Sequence, residues 1–369
     1  MTDRTAAPRR FFRPTWAEVD LSALRANLKQ FRGRTRPARV MFVVKANAYG
    51  HGAPACSLAA ETSGLADWLG VSSVEEGVAL REAGSKLPIL VLGSLFPFES
   101  FLAAAEHKLT PTIASLESAR RLVEAAKIIG RRVDCHVKVE TGMGRIGVSP
   151  AAAKAVIEYL SNQPSVKVEG VYTHFSCAET DARFTREQMK LFKRVSASLP
   201  RRLILHAANS AAALRFPETR LDMVRPGLAL YGLYPGFTPI LTLKTKLVFI
   251  KTVAKGTPVS YGAAYRTKKV TRVATLPIGY GDGWARANGR GGAALVAGKR
   301  CPIVGRVTMD MTMLDVSDVP QARVGDDVVL IGAQGRESIT AAEVAVRLDT
   351  IPYEVTTMLS SRVPRVYLS

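Results

Sequence analysis

Short apolar runs alternate with amphipathic segments through the first two thirds of the chain. Each run has the length of a buried strand, and the segment after it has the period of a helix. Eight strand–helix pairs predict an α/β fold, a (β/α)8 TIM-type barrel. A doubly wound sheet is the alternative, but no Gly-rich dinucleotide turn is present. The predicted strands are Val40–Lys45, Trp68–Val71, Pro88–Leu92, Leu109–Ile113, Val133–Val139, Val166–His174, Leu203–His206 and Asp222–Arg225.

The segment SSVEEGVALREAG, after the second predicted strand, has helix signals at both ends. Ser72 and Glu75 have the spacing of a capping box, in which each side chain binds the other residue's backbone N–H. Gly84 follows the last periodic residue, where helices commonly end in the left-handed conformation. We therefore expect Ser72 to cap this helix and Gly84 to end it.

The sequence changes character after about Leu241 and becomes rich in strand-forming residues separated by Gly-containing turns. The turn-forming segment YPGFTP lies just before this change and is the predicted linker. One late helix is expected at Ala341–Leu348. We predict a basic disordered arm at residues 1–12, the barrel at residues 13–238 and a mainly-β domain at residues 239–369.

The net charge of +20 raises the question of nucleic acid as a partner. The basic residues are spread along the chain, however, and no zinc finger, RNP-like motif or helix-turn-helix signature accompanies them. We expect no specific nucleic-acid binding. No apolar run approaches the roughly 20 residues that span a membrane, and the N-terminus lacks an apolar signal segment. The sequence therefore predicts a cytoplasmic protein without a membrane partner.

The segment MFVVKANAYGHG places a lysine at the end of an apolar run. Strand alternation puts Lys45 on the same face as Met41 and Val43, which elsewhere would be a core face. Two readings are open for this amine. It either reaches out to solvent along its aliphatic stem or points into a pocket with a chemical task.

Polar residues occur at the carboxyl ends of several predicted strands, which is where barrel enzymes carry their chemistry. The later strand ends also suit phosphate binding, because a serine hydroxyl there lies beside exposed backbone N–H groups. Together with a strand-end lysine, this arrangement suggests pyridoxal phosphate held as a Schiff base. The residues concerned are Lys45, Lys138, Arg145, His174, Asn209, Ser210, Arg225, Gly227 and Leu228.

Eight motifs in one order carry a family resemblance from about Phe12 to the C-terminus. The chain resembles the alanine racemases, which are pyridoxal-phosphate isomerases with a barrel and a C-terminal β domain. The resemblance implies interconversion of L- and D-alanine in the cytoplasm, with D-alanine supplied for peptidoglycan. The motifs are VVKANAYGHG, KVETGMGR, HAANSAA, RPGLALYG, VSYG, IGYGDG, VGRVTMD and YEV followed by SRVPR.

The resemblance also implies two catalytic residues. Lys45 would bind the cofactor and then act as a base at one face of the substrate's Cα. Tyr261 would be the base at the opposite face and would come from the partner subunit of a homodimer. Two bases suit racemisation, because one face of a planar carbanion loses a proton while the other gains one. Without the resemblance, Tyr261 would be an ordinary strand tyrosine.

The family's other site residues carry over to matching positions. Arg225 would face the pyridine nitrogen, His174 would lie against the ring, and Lys138 matches a lysine that carries a carbamate in many members. Arg145 would bind the cofactor's phenolic oxygen and, with the Met309 backbone N–H, the substrate carboxylate. His51 has no role here and is expected to be structural. The remaining cofactor contacts implied are Tyr49, Asn209, Ser210, Gly227, Leu228 and Tyr353.

A narrow access corridor, implied at Tyr280, Arg286, Arg306 and Ile351, would favour alanine as the substrate. The sequence leaves serine or a broader set of substrates open. A decarboxylase of the same architecture would be expected to lack the Tyr261 motif, and a non-catalytic pyridoxal-phosphate binding protein would lack the β-rich half. The chain departs from the family pattern at Thr308, where several relatives have cysteine, and at Glu140, where aspartate is usual.

Overall fold

The computed structural model describes residues 12–200 and 202–369, which form two compact units. One unit is Leu21–Thr238, and the other joins Pro239–Ser369 to the N-terminal segment that ends at Asp20. The predicted arm at residues 1–12 lies outside the described residues, apart from the exposed Phe12.

The first strand, β1 (Thr15–Asp20), corrects the predicted start of the barrel at residue 13. It pairs antiparallel with Leu241–Lys246 and parallel with Arg365–Leu368, so residues 13–20 belong to the second unit. Alternation of buried and half-buried positions along β1 fits a strand with one covered face. The partners lie more than 200 residues away in sequence, and local pattern therefore could not reveal them.

The first unit contains the predicted barrel. Parallel strands β2 to β9 follow one another in sequence order, and within the described residues β9 pairs with β2 to close an eight-stranded ring. Every predicted strand is present, with ends that shift by one or two residues. The strands are β2 Arg39–Val43, β3 Trp68–Val71, β4 Ile89–Val91, β5 Thr110–Ile113, β6 Val133–Lys138, β7 Val166–Tyr172, β8 Ile204–His206 and β9 Met223–Val224.

One helix precedes β2 and one follows each of the strands β2 to β8, and their apolar faces are buried while their polar faces are exposed. The barrel interior holds a cluster of buried residues, among them Met41, Trp68, Leu90 and Met223. The helices are Leu21–Thr35, Ala53–Thr62, Val74–Glu82, Glu99–Glu106, Leu116–Ile129, Ala153–Ser161, Ala182–Ala197 and Ser210–Arg215, with a short 3-10 turn at Pro217–Thr219.

The expected capping box at Ser72 and Glu75 is wrong by one residue. Ser73 is the N-cap of the helix Val74–Glu82, and its hydroxyl accepts from the N–H of Glu76 at 3.4 Å. The carboxylate of Glu76 instead accepts from the N–H of Ser72 at 2.7 Å. Gly84 follows the helix with φ of 96°, in the left-handed region that glycine tolerates, as expected.

The second unit is mainly β. Its large sheet has the strand order β16-β15-β18-β10-β1-β20, with β19 on β18; smaller sheets are β11-β14-β17 and β12-β13. The strands are β10 Leu241–Lys246, β11 Phe249–Val253, β12 Pro258–Val259, β13 Tyr265–Arg266, β14 Thr271–Leu276, β15 Ala293–Val296, β16 Lys299–Pro302, β17 Thr312–Asp315, β18 Asp327–Gln334, β19 Glu337–Ile339 and β20 Arg365–Leu368.

Two helices interrupt the β structure of the second unit. The predicted helix at Ala341–Leu348 is present, and a further short helix at Pro352–Thr357 follows it. Short 3-10 turns lie at Tyr261–Ala263, Tyr280–Asp282 and Arg286–Gly289. In the described part of the chain, we find no helix with the length and apolar character needed to cross a bilayer.

Candidate active site

Lys45 lies just beyond the carboxyl end of β2, which ends at Val43 rather than at Lys45 as the sequence predicted. The chain then turns through Ala46, Asn47, Ala48 and Tyr49, all with φ between 52° and 54°. Left-handed backbone costs non-glycine residues roughly 1–2 kcal/mol each. A run of four such residues therefore stores strain beside the candidate active-site lysine.

Side chains hold this left-handed turn in place. Glu76 accepts from the N–H of Ala46 at 2.6 Å with one carboxylate oxygen, while its other oxygen binds Ser72. The side-chain oxygen of Asn47 accepts from the N–H of Ala53 at 2.8 Å. Glu76 thereby ties the turn after β2 to the loop after β3, and these bonds offset part of the strain.

The environment of Lys45 favours a neutral amine. Burial lowers its pKa, the charge of Arg145 lowers it further, and Glu76 partly opposes both. A neutral amine is the nucleophilic form, which is the form needed to attack an aldehyde or to accept a proton. The pocket reading of Lys45 is thus the one that its surroundings favour.

Lys138 at the end of β6 is almost fully buried. Burial lowers its pKa to about 8, with further contributions from the positive charges of Arg145 and Arg225. Its ammonium lies 5.9 Å from the centre of the Tyr172 ring. A buried lysine among cations calls for an anion or for modification.

The loop after β6 presents Arg145 at the surface of the barrel unit. The carboxylate of Glu140 orders this loop by accepting from the backbone N–H groups of Gly142 at 2.5 Å, Met143 at 2.6 Å and Gly144 at 3.0 Å. Burial raises the pKa of Glu140, but these bonds outweigh it and the net pKa is lowered. Glutamate is therefore able to anchor the loop at this position.

Arg225 is a buried guanidinium that follows β9. Its Nη2 donates to the carbonyls of Thr173 at 2.7 Å and Ala207 at 2.9 Å, and to Nδ1 of His174 at 3.2 Å. Its Nη1 donates to Nδ1 of His206 at 2.9 Å. Among the described residues, no partner takes the Nε–H or the second Nη1–H, which leaves donors for a ligand acceptor.

Aromatic rings surround this guanidinium. Tyr172 lies 5.1 Å from it and stacks on His206, with ring centroids 4.7 Å apart and an angle of 10°. Burial and the charge of Arg225 lower the pKa of His174 and of His206 well below the usual range, so both rings are neutral. Neutral rings are able to accept the arginine's hydrogen bonds.

The loops after β8 and β9 bring together four of the residues predicted to contact the cofactor. Asn209 caps the helix Ser210–Arg215, and the Ser210 hydroxyl accepts from the N–H groups of Gly227 at 3.1 Å and Ala229 at 3.2 Å. A Cβ on residue 227 would lie 2.8 Å from the Tyr49 hydroxyl, so only glycine leaves room for this tyrosine. Leu228 lies in the same loop and is half-buried.

The other predicted site residues lie in the β unit. Tyr261 is 71% exposed in a 3-10 turn whose preceding residue, Ser260, binds the carbonyl of Arg306 at 2.7 Å. Tyr280 donates its N–H to the carbonyl of Thr308, next to Met309, at 3.0 Å. Tyr261 and Arg306 therefore lie in one local group, and Tyr280 and Met309 lie in a second. Arg286 and Arg306 line one cavity, while Ile351 precedes the helix that carries Tyr353.

Sequence reasoning missed four residues of the barrel site: Glu76, His136, Tyr172 and His206. Strand alternation carried a usable signal for two of them, because His136 precedes Lys138 by two residues and Tyr172 precedes His174 by two. Such pairs share a face. His51, which the sequence predicted to be structural, is buried and stacks on Tyr231 with ring centroids 4.6 Å apart.

Comparison with known protein families now bears on this site. The sequence model for the N-terminal domain of alanine racemase matches residues 19–235, and that for the C-terminal domain matches residues 240–367. The chain belongs to the alanine racemase family. Membership confirms the family expected from the motifs and the expectation of an isomerase with alanine racemase activity.

Individual relatives agree over nearly the whole length of the chain. The alanine racemase of Symbiobacterium thermophilum is 45% identical, over 96% of this chain and 97% of that protein. The alanine racemase of Halothermothrix orenii is 43% identical, over 97% and 98% respectively. The resemblance therefore covers both the barrel and the β domain.

Solved structures of alanine racemases confirm the fold class, a barrel with a C-terminal mainly-β domain. The alanine racemase of Clostridium difficile 630 superposes with a TM-score of 0.92 at 37% identity, covering 97% of each chain. The alanine racemase of Bacillus anthracis, solved with bound L-Ala-P, gives a TM-score of 0.91 at 38% identity. It covers 98% of this chain and 96% of that one.

The strain in the turn after Lys45 generates a stability prediction. Ala46 is exposed and left-handed, so Ala46→Gly should raise the free energy of unfolding by about 0.5–1 kcal/mol. The matched control Ala103→Gly, in the right-handed helix Glu99–Glu106, should lower it by about 1 kcal/mol. Urea denaturation measures both values. Equal losses at the two positions would show that the turn is not strained.

The buried histidines generate a prediction about protonation. Burial and nearby cations lower the pKa of His136 to about 3 and that of His206 well below its usual range. Both rings should stay neutral from pH 8 down to pH 5, and stability should fall as the pH drops below about 6.5, where unfolded histidine gains a proton. Nitrogen-15 NMR of histidine-labelled protein reports this. A ring that titrates near 6.5 would contradict the account.

Proposed function

We propose that the chain racemises alanine by a two-base mechanism that uses pyridoxal phosphate, Lys45 and Tyr261. The observation that carries the proposal is the environment of Lys45, an amine whose pKa is lowered at the mouth of a barrel rich in cations. The family match supports the reaction class. The assignment of a role to each residue extends that match to the geometry of this chain.

The barrel residues fit this cofactor. Arg225 has donors that no described residue takes, which suits an acceptor such as a pyridine nitrogen. Arg145 supplies positive charge, which suits the cofactor's phenolic oxygen. When bound, pyridoxal phosphate withdraws electrons from the substrate's Cα and so acidifies its proton.

Lys45 takes part in proton transfer on one face of the substrate's Cα. Its Nζ would hold the cofactor, and the same amine, when free, would act as the base at this face. Tyr261 holds or gives up a proton at its hydroxyl on the opposite face and comes from the partner subunit. Inversion follows because the proton leaves one face and another arrives at the other.

Arg225 would donate to the pyridine nitrogen. A guanidinium does not surrender its proton in a protein, so the ring nitrogen would stay unprotonated and would be a weaker electron sink than beside an aspartate. We infer that Arg225 thereby limits side reactions such as transamination. His174, which accepts a hydrogen bond from the same guanidinium, would lie against the cofactor's ring.

Arg145 has two partners in this proposal, the cofactor's phenolic oxygen and the substrate carboxylate. Lys138 is modified to a carbamate, which its lowered pKa favours because the neutral amine is the form that reacts with carbon dioxide. The resulting anion orients Arg145 and removes the buried positive charge of the amine. The phosphate is held by Tyr49, Asn209, Ser210, Gly227, Leu228 and Tyr353.

In the proposed site, residues of the β domain select the substrate. The backbone N–H of Met309 binds the substrate carboxylate, and Tyr280, Arg286, Arg306 and Ile351 form the access corridor. A narrow corridor favours alanine over larger amino acids. The product, D-alanine, supplies peptidoglycan synthesis.

The proposal requires a homodimer that shares its active sites, and hybrid dimers test this requirement. Lys45→Ala and Tyr261→Phe homodimers should each be nearly inactive. In a hybrid of the two, one site receives both defects and the other receives intact Lys45 with intact Tyr261. Random mixing of equal amounts should therefore restore about a quarter of the wild-type activity.

Activity of co-expressed, differently tagged subunits measures this restoration, and mixing each variant with itself is the control. If Tyr261 acted within its own subunit, both sites of every hybrid would carry one defect. Mixtures without restored activity would then contradict the shared site. Full activity of either homodimer would contradict the catalytic role of the residue that was changed.

A further inference from the structure

Two histidines without a role in the proposed reaction lie inside the barrel, next to Arg225. His136 is on β6, two residues before Lys138, and His206 ends β8. Both are completely buried. A buried imidazole needs hydrogen-bond partners for its ring nitrogens, so the partners of these two rings are informative.

The hydrogen bonds of these rings have one possible direction. A guanidinium has no acceptor, so Arg225 Nη1 donates to Nδ1 of His206 at 2.9 Å. The neutral His206 ring then carries its proton on Nε2, and this N–H donates to Nδ1 of His136 at 2.8 Å. His136 in turn carries its proton on Nε2. One arginine thus sets the tautomer of two successive histidines.

The backbone makes room for the second ring. A Cβ on residue 170 would lie 2.7 Å from Cε1 of His136, so glycine at this position is what lets the imidazole approach β7. The register between β6 and β7 also shifts between Cys135 and His136. Trp68 packs on the same ring, with centroids 5.1 Å apart. The place of His136 is therefore built into the barrel.

The chain of donors ends toward a carboxylate. Nε2 of His136 has no hydrogen-bond partner among the described residues, and Oε2 of Glu169 lies 3.9 Å away. The Glu169 side chain is 22% exposed and also lies 3.6 Å from the amine of Lys167. A small rotation of the Glu169 side chain would bring its carboxylate within hydrogen-bond distance of His136 and place an anion at the far end from Arg225.

We propose that His206 and His136 form a hydrogen-bonded chain, closed at its far end by Glu169, that fixes the guanidinium of Arg225 as a donor to the cofactor's ring nitrogen. This rests on the proposed function, in which Arg225 faces that nitrogen. His136, His206 and Glu169 are positioning residues, since none of them reaches the reacting atoms. A polarised chain strengthens each donor in it and holds the guanidinium plane at one angle.

The test compares three variants with pyridoxal phosphate labelled with nitrogen-15 in its ring. His136→Phe removes the acceptor for His206, and His136→Asn keeps a side-chain acceptor near the position of Nδ1. Val137→Ala is the matched control, because Val137 is equally buried but points to the other face of β6. The measurements are the ring nitrogen-15 chemical shift of the holoenzyme, kcat and KM for alanine, and thermal stability.

His136→Phe should move the nitrogen-15 signal toward that of a pyridine nitrogen without a donor and lower kcat by about tenfold or more, with KM little changed. His136→Asn should recover most of both effects. Val137→Ala should lose stability while leaving the signal and kcat unchanged. If His136→Phe changes only stability, as Val137→Ala does, the proposal is overturned.

If His136→Phe does not fold, Glu169→Gln decides, because this partly exposed carboxylate is replaced by an isosteric amide. It should move the same signal in the same direction by a smaller amount, and an unchanged signal overturns the proposal. The wild-type spectrum distinguishes a failure of the proposed function from a failure of the histidine chain alone. A protonated pyridine nitrogen in the wild type would refute the role of Arg225 and with it the proposed function. An unprotonated nitrogen whose chemical shift is the same in His136→Phe and Glu169→Gln would refute the histidine chain alone.

Discussion

The barrel depends on how it accommodates a buried positive charge. Arg225 lies inside the ring of strands, none of its hydrogen bonds to the described residues goes to a carboxylate, and burial lowers its pKa to about 10. Backbone carbonyls and neutral imidazoles, rather than an anion, accept its hydrogen bonds. These neutral partners leave the positive charge of the guanidinium uncompensated, so it remains a hydrogen-bond donor for a ligand. Tyr172, His174 and His206 are arranged around this requirement.

A second constraint is the strained turn that presents Lys45. Four left-handed residues in sequence would not persist without Glu76 and Asn47 to bind the backbone on either side. The lysine is thereby held by backbone geometry, at a place where burial and Arg145 lower the pKa of its amine. The strained turn fixes the position of the amine, and its electrostatic environment favours the nucleophilic form.

The sequence predicted the barrel strands and the late helix well, because both rest on local periodicity. It failed where partners are distant. β1 was assigned to the barrel because its pairing with β10 and β20 leaves no local mark. Glu76 was missed because its hydrogen bonds join two loops. The N-cap of the helix Val74–Glu82 is Ser73, one residue after the predicted Ser72. Of the site, the lysine and the strand-end residues were predictable, whereas the histidine chain needs the barrel's cross-section to be seen.

The proposed chemistry depends on Lys45, and not the buried Lys138, being the amine that attaches the cofactor. Borohydride reduction of the holoenzyme followed by peptide mapping tests it, because reduction makes the bond between the lysine and the cofactor permanent. We expect a single modified peptide that contains Lys45. A cofactor found on Lys138, whose pKa is also lowered by burial, would refute the assignment of Lys45.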